Sequence, residues 1–403
     1  MDQVADRSAA EPGDRLARRN ARILAAAASF GSANSIIVVA TGGLVGEALA
    51  PSPALATAPI TGFVLGTACA AVPAALLMKR IGRRAGLMCG TLGGLTAGLV
   101  AATAVYVGSF GLFLLATFLA GSYTAFVQQY RFAAADTASD AFRAKAISWV
   151  LAGGVAAGVL GPQTVIHTAD LLPPFGFLAT YLAQAGLALL SLACLALLEA
   201  PPPSRASHAG GRSLRVIAAD PRFRVAVLCA VSSYVLMNFV MTATPLAMVG
   251  CGHGVPDATL AIQWHVIGMY APSFFTGALV SRFGKIRVTA LGFLLMACAG
   301  AISMSGLSLA HFWAALALLG LGWNLAFVGA TAMLADAYRP EERAKVQAAN
   351  DFAVFGSVAI GSLSSGAVFT AAGWSAVNLM LFPGAALCLA ALAWLAARRP
   401  AAA

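Results

Sequence analysis

Charged residues interrupt this chain rarely, and at intervals that fit membrane crossings. Uncharged stretches run over 23–46, 171–198, 225–256, 258–281, 288–335 and 352–397, and 48–169 is broken only by two short charged loops. A bilayer core takes roughly 20 helical residues per crossing. Cutting the longest stretches at VGSF, SLAH and AAGW then predicts twelve spans, near 23–47, 54–78, 86–107, 110–130, 146–168, 175–198, 224–249, 258–281, 287–308, 312–335, 346–370 and 375–397. Composition agrees: the 403 residues are 60% hydrophobic and 10% charged, with a mean hydropathy of +0.83, which excludes a water-soluble globule. The expectation is an all-α integral membrane protein that is not an enzyme, since no nucleophile elbow, phosphate loop or catalytic acid pair occurs.

The polar residues orient these spans. All 25 Lys and Arg fall before the first span, in the loops after the even-numbered spans, or at the end of the chain. Basic residues are held on the cytoplasmic side during insertion, so both termini are expected in the cytoplasm. The net charge of +10 therefore reports topology, and no nucleic-acid partner is expected. The first 22 residues are polar and lack the short apolar core of a signal peptide. Seven single cysteines, without a Cys-x-x-Cys pair, argue against a disulfide framework or a zinc site.

The chain also repeats itself. Asp136, Arg143 and Lys145 recur 200 positions later as Asp336, Arg343 and Lys345, and KRIGRR (79–84) is answered by SRFGKI (281–286), with Gly82 matched to Gly284. Between the copies, EAPPPSRASHAGGRSLR (199–215) has the composition of a flexible connector. The predicted organisation is a tail (1–22), a six-helix bundle (23–198), a linker (199–223), a second six-helix bundle (224–397) and a tail (398–403). Two parallel six-helix pseudo-repeats imply a cavity near the bilayer midplane and rocking of one half on the other. On this layout and its Gly-Arg-rich loops, essentially the whole chain resembles the major facilitator superfamily. The usual loop pattern there is Gly-x-x-x-Asp-Arg-x-Gly-Arg-Arg; this chain has Ala75 and Lys79 in the first copy, and Ser281 for the acid in the second. The fourth predicted span contains no Arg, where many proton antiporters of that superfamily carry one.

Candidate chemistry concentrates in the seventh and eighth spans. Met237 and Met241 are four apart, as are His265 and Met269, so each pair shares one helix face. At about 1.5 Å per residue, Met241 and His265 lie some 10–12 Å below the outer surface, and Met237 and Met269 some 16–18 Å. Thioether and imidazole are neutral, soft donors suited to Cu(I), and neither span contains a carboxylate for a hard cation. Pro245 frees the carbonyl of Met241 and predicts a kink beside this point. Met248, Cys251 and His253 continue toward the outer surface as auxiliary donors, with Cys229 two turns below Met237. Methionines at helical spacing also serve as packing filler, and that reading stands beside the metal one.

Met-x-x-x-Met followed by His-x-x-x-Met in this layout resembles the CcoA-type copper importers of proteobacteria. The resemblance implies copper uptake across the inner membrane for cbb3-type cytochrome oxidase, with Met237, Met241, His265 and Met269 as ligands. It also implies a copper ion as cargo, no organic cofactor, a cytoplasmic copper acceptor or chaperone, and a monomer in the lipid bilayer. Asp351, near the start of the eleventh span, is a candidate for coupling; Asp136 and Asp336, with Arg143 and Arg343, are candidates for salt bridges that gate the cytoplasmic side. The alternative is a facilitator of a small organic molecule, riboflavin-like or drug-like. Asn34, Gln128, Gln129, Asn238, Gln263 and Asn324 would then line the cavity, and Trp149, Trp264 and Trp323 would offer stacking surfaces.

Overall fold

Lipid offers no hydrogen-bond partner to a backbone, so a chain this apolar must satisfy its own amides within helices. The computed structural model describes residues 12–199 and 211–398, and among them there are helices and loops but no strand. The first group of helices is α1 (Pro12–Leu49), α2 (Ala58–Ile81), α3 (Arg83–Val107), α4 (Phe110–Val127), α5 (Tyr130–Asp136), α6 (Asp140–Thr168) and α7 (Leu178–Ala196). The short α8 (Leu214–Ala218) leads into α9 (Pro221–Gly250), α10 (Val255–Tyr270), α11 (Ser273–Phe283), α12 (Lys285–Ser305), α13 (Leu309–Ala335), α14 (Arg343–Leu379) and α15 (Leu381–Ala397).

Ten stretches among the described residues are long and apolar enough to cross a bilayer, against the twelve predicted. The differences have local causes. The predicted span 258–281 is interrupted at Ala271–Pro272, where proline lacks the amide hydrogen that would continue the ladder, leaving the 16-residue α10 and the 11-residue α11. The last two predicted spans form one helical stretch, Lys345–Ala397, broken internally at Gly373 (φ 76°) in the AAGW segment. At the other end, α1 begins at Pro12, so the end of the expected polar tail continues the first span as helix.

Small residues set how closely the helices approach. Where α2 crosses α4, a Cβ on Gly66 would lie 2.0 Å from the Phe118 carbonyl oxygen, and one on Gly121 would lie 1.8 Å from that of Phe63. Only hydrogen fits at such distances, and with no water to expel, close packing is a main source of helix association in lipid. Helices α1–α7 pack chiefly among themselves, as do α9–α15, and the two groups meet along α2 with α14, α6 with α10, and α1 with α9. One end of this seam is sealed by Leu44, Ala56 and Leu246, with Phe177, Val249, Val255 and Phe369 packed against them. Gln163 Nε2 on α6 also donates to Gln263 Oε1 on α10 at 3.0 Å.

The opposite end carries the charged loops, and the ion pairs described there do not join α1–α7 to α9–α15. Arg83 binds Asp136 at 2.8 Å and Lys285 binds Asp336 at 2.6 Å, each pair within its own group. The acids repeat as read from the sequence, but their partners sit after Gly82 and Gly284, whose φ of 87° turns the chain so that a basic residue begins the next helix. Arg143 is exposed on α6, and the side chain of Arg343 lies outside the described residues. Arg212, just before α8, holds Glu342 between α13 and α14 through both Nε (2.9 Å) and Nη2 (2.8 Å).

Candidate functional site: a cavity between the two helix groups

Where the groups separate, they enclose a cavity of about 240 Å³. Its walls follow from helical periodicity. Tyr234, Met237, Asn238 and Met241 form an i, i+3, i+4, i+7 stripe on α9. Thr124, Val127, Gln128 and Arg131 form the same stripe across α4 and α5, which keep one face toward the cavity through the break at Gln128–Gln129. Ser32, Ser35, Ile36 and Val39 supply a third stripe from α1, Phe63 and Thr67 come from α2, Met269 and Tyr270 from α10, and Phe355 from α14.

Only one of these residues, Arg131, is charged. Its guanidinium lies 4.8 Å from the centre of the Phe132 ring. Asp351 at the start of α14 is the opposite charge it feels across the seam, yet no ion pair within 4.0 Å joins them among the described residues. Both side chains are exposed, so the cavity opens toward this end of the molecule. Tyr234 is framed by three aromatic rings. The rings of Trp323, Phe327 and Phe355 meet it edge-on, with centroids 5.3, 5.5 and 5.7 Å away, and Trp323 stacks on Phe327 behind it. Thr242 Oγ1 donates to Asn238 Oδ1 at 3.3 Å, and the Ser35 and Thr124 hydroxyls lie 2.7 Å apart.

The four residues singled out as a donor set divide here. Met237, Met241 and Met269 line the cavity, whereas His265 is fully buried and faces α13, where its Nδ1 donates to the Leu316 carbonyl at 2.9 Å. The other donors lie off the cavity: Cys229 is buried against Cys388, Met248 is buried, Cys251 is exposed at the end of α9, and His253 Nε2 donates to the Leu307 carbonyl at 2.8 Å. Helix α9 runs through Pro245 without interruption. Of the amides, Gln128 and Asn238 line the cavity; Asn34 pairs with Gln184, Gln263 with Gln163, Asn324 binds the Met269 carbonyl, and Gln129 sits at the break before α5. Trp149 packs on Phe142, Trp264 is exposed on the outer surface of α10, and Trp323 braces Tyr234 from behind.

Arg131, Tyr234, Tyr270 and Phe355 were not picked out from the sequence. Hydropathy ends the fourth span at residue 130 and places Arg131 in a loop. The signal that would have found it is its position seven residues after Thr124 and three after Gln128, on one continuous polar face.

The family model described as Major Facilitator Superfamily matches residues 23–269 and again 226–403. A riboflavin transporter of Brucella anthropi, RfnT, is 48% identical over 379 residues, covering 93% of this chain and 95% of that protein. The uncharacterized transporter YddS of Bacillus subtilis is 28% identical, over 94% of this chain and 90% of its own length. The human organic anion transporter MFSD10 (TETRAN) has the same fold, with a TM-score of 0.68 at 17% identity, over 93% of this chain and 99% of that one.

The first of these likenesses overturns copper import. The protein to which this chain is nearly half identical carries riboflavin. A copper ion as cargo, a cytoplasmic copper acceptor and a metal-binding role are withdrawn with it, as is the assignment to CcoA-type importers. The geometry gives the physical reason why the donor spacing misled. Thioethers are soft metal ligands, but they are equally the polarizable wall an aromatic ring packs on. Here three of them face a cavity lined with aromatic and amide groups, while His265 lies outside that lining, its Nδ1 on a backbone carbonyl of another helix and its Nε2 buried without a hydrogen-bond partner.

Proposed function

This chain belongs to the major facilitator superfamily, and from that membership we propose that it carries riboflavin, or a flavin very like it, across a membrane through the cavity between its two helix groups. The observation that carries the reading is the 48% identity, over 93% of the chain, to a riboflavin transporter.

The cavity chemistry supports it. A flavin is a flat tricyclic ring with an imide edge and a polyhydroxyl chain. Tyr234, Tyr270, Phe63 and Phe355 provide ring faces and edges for offset or edge-to-face packing. Gln128 and Asn238 carry both donor and acceptor and suit the imide, Arg131 offers a fork of donors to the ring carbonyls, and Ser32 and Thr67 suit the polyol. A volume of about 240 Å³ is below the roughly 300–1,000 Å³ common for ligand pockets, so uptake of a flavin involves further separation of the walls.

Within this reading, α10 with α11 is one span broken at Ala271–Pro272, and Gly373 divides the last helical stretch into the eleventh and twelfth. The chain then has twelve spans in two six-helix repeats, 23–198 and 224–397, joined by the linker 199–223. The basic loops support a topology with both termini in the cytoplasm of a bacterial inner membrane, and in that topology the cavity opens inward. The test is growth of a riboflavin-requiring bacterium that lacks flavin uptake. Expression of this chain should restore growth at low external riboflavin and accumulation of labelled riboflavin. Correctly inserted protein with no accumulation would reject the proposal.

A further inference from the structure

The N-terminal part of α1 carries Arg15, Arg18, Arg19 and Arg22, spaced so that all four share one helix face. With Ile23 and Leu197, which follows α7, they line a second groove of about 510 Å³ at the charged end of the molecule, separate from the transport cavity. Like charges three and four residues apart repel on a helix, so such a stripe costs stability unless anions meet it. The protein meets only part of it. Arg19 is paired with Glu199. Arg18 and Arg22 lie over the Phe142 and Trp149 rings, 5.4 and 5.7 Å from their centres, which hold them in place without neutralising them. Arg15 has no ion pair among the described residues.

Below the guanidiniums the groove is aliphatic. Leu197 is 60% exposed, and Ile23 stands where α1 enters its apolar run. Cations above and hydrocarbon below complement a molecule with an anionic head and an apolar tail. Guanidinium forks bind phosphate oxygens in pairs, and basic clusters just outside a span attract anionic lipid. We propose that this groove binds the phosphate headgroup of an anionic phospholipid, bridging Arg15, Arg18 and Arg22 and laying the start of its acyl chain along Ile23 and Leu197. The bound lipid ties α1 to α6 and α7 at the basic face of the first helix group. The free-phosphate alternative uses the same forks but has no use for the exposed leucine.

The experiment uses the full chain purified in a neutral detergent. Phosphatidylglycerol, phosphatidylcholine or inorganic phosphate is added, thermal unfolding is followed, and retained lipid is counted by native mass spectrometry. Phosphatidylglycerol should raise the unfolding temperature and be retained in stoichiometric amount, while phosphatidylcholine and phosphate should do neither. Affinity should fall about fivefold for each arginine removed, so Arg15→Gln/Arg18→Gln/Arg22→Gln should lose the shift. If that triple variant does not fold, Arg15→Gln alone, which breaks no ion pair seen here, should still show the single-step loss. Undiminished phosphatidylglycerol binding in the variants, or an equal shift with inorganic phosphate, would overturn the assignment.

Discussion

Arg131 and Tyr234 line the cavity from different helix groups, and under the proposed function each would make a separable demand on a flavin. Charge-assisted hydrogen bonds contribute about 1.5–3 kcal/mol, so Arg131→Gln is expected to raise the KM for riboflavin roughly tenfold to hundredfold, with Arg131→Lys intermediate because it keeps the charge but not the fork. Tyr234 acts through its ring. Tyr234→Leu should weaken binding by about 1 kcal/mol, and Trp323→Leu should produce part of that loss without touching the cavity, because Trp323 only braces the ring. Concentration dependence of labelled riboflavin uptake checks all four variants, and an unchanged KM in Trp323→Leu would remove its positioning role. At this scale the sequence was half legible. Helical spacing brought out Met237, Met241 and Met269, which do line the cavity, but side-chain type did not decide between a metal and an organic cargo, since thioether suits both a soft ion and an aromatic ring. Tyr234 and Phe355 carried no distinguishing mark, because an aromatic residue in an apolar span looks the same whether it faces lipid, core or cavity.

Among the elements, hydropathy located the spans well because insertion itself reads hydropathy, and it failed where a helix breaks inside the membrane. The interruption at Ala271–Pro272 and the short turn at Gln128–Gln129 leave the apolar run intact, so a window average passes over both. Helix contacts were less visible still, since they depend on which glycine meets which carbonyl. That dependence is testable. Gly121→Val places carbon where the Phe63 carbonyl oxygen already sits and should abolish stable insertion of the α2–α4 pair, whereas Gly93→Ala, whose added methyl meets nothing within 4 Å, should be tolerated. Fluorescence-detected size exclusion of tagged protein separates the two outcomes. The loop clamp makes a second prediction. The Arg212 guanidinium holds the Glu342 carboxyl well below the usual carboxylate range. Its folded pKa is thus depressed, and its stabilisation is complete above the unfolded value of about 4.3 and is lost as pH falls below it. The unfolding-temperature gap between the native chain and Glu342→Gln should stay constant from pH 6 to 8 and shrink below about pH 4; a gap that varies across neutral pH would reject the clamp as its source.

Across the whole molecule, the seam between the helix groups is closed at one end by apolar packing and the Gln163–Gln263 amide pair, and open at the other, where the described ion pairs stay within each group. Alternating access requires that closed end to part and the basic end to meet, so the contacts holding α6 to α10 must be broken in every cycle. Gln163 and Gln263 mark the place to stop that motion. With the exposed Cys69, Cys89, Cys251 and Cys298 first replaced by Ser, a Gln163→Cys/Gln263→Cys protein can be joined by a short, reducible bis-thiosulfonate linker. Joined, it should accumulate no riboflavin in reconstituted vesicles, and reduction should restore uptake. Riboflavin binding to the joined protein in detergent should stay within about threefold of the unjoined protein, because the cavity is still reached from the Arg131 side, and threefold is well under the tenfold that 1.4 kcal/mol would cause. Uptake that continues with the linker in place would mean that the α6–α10 seam does not open, and the flavin would need another route through the molecule.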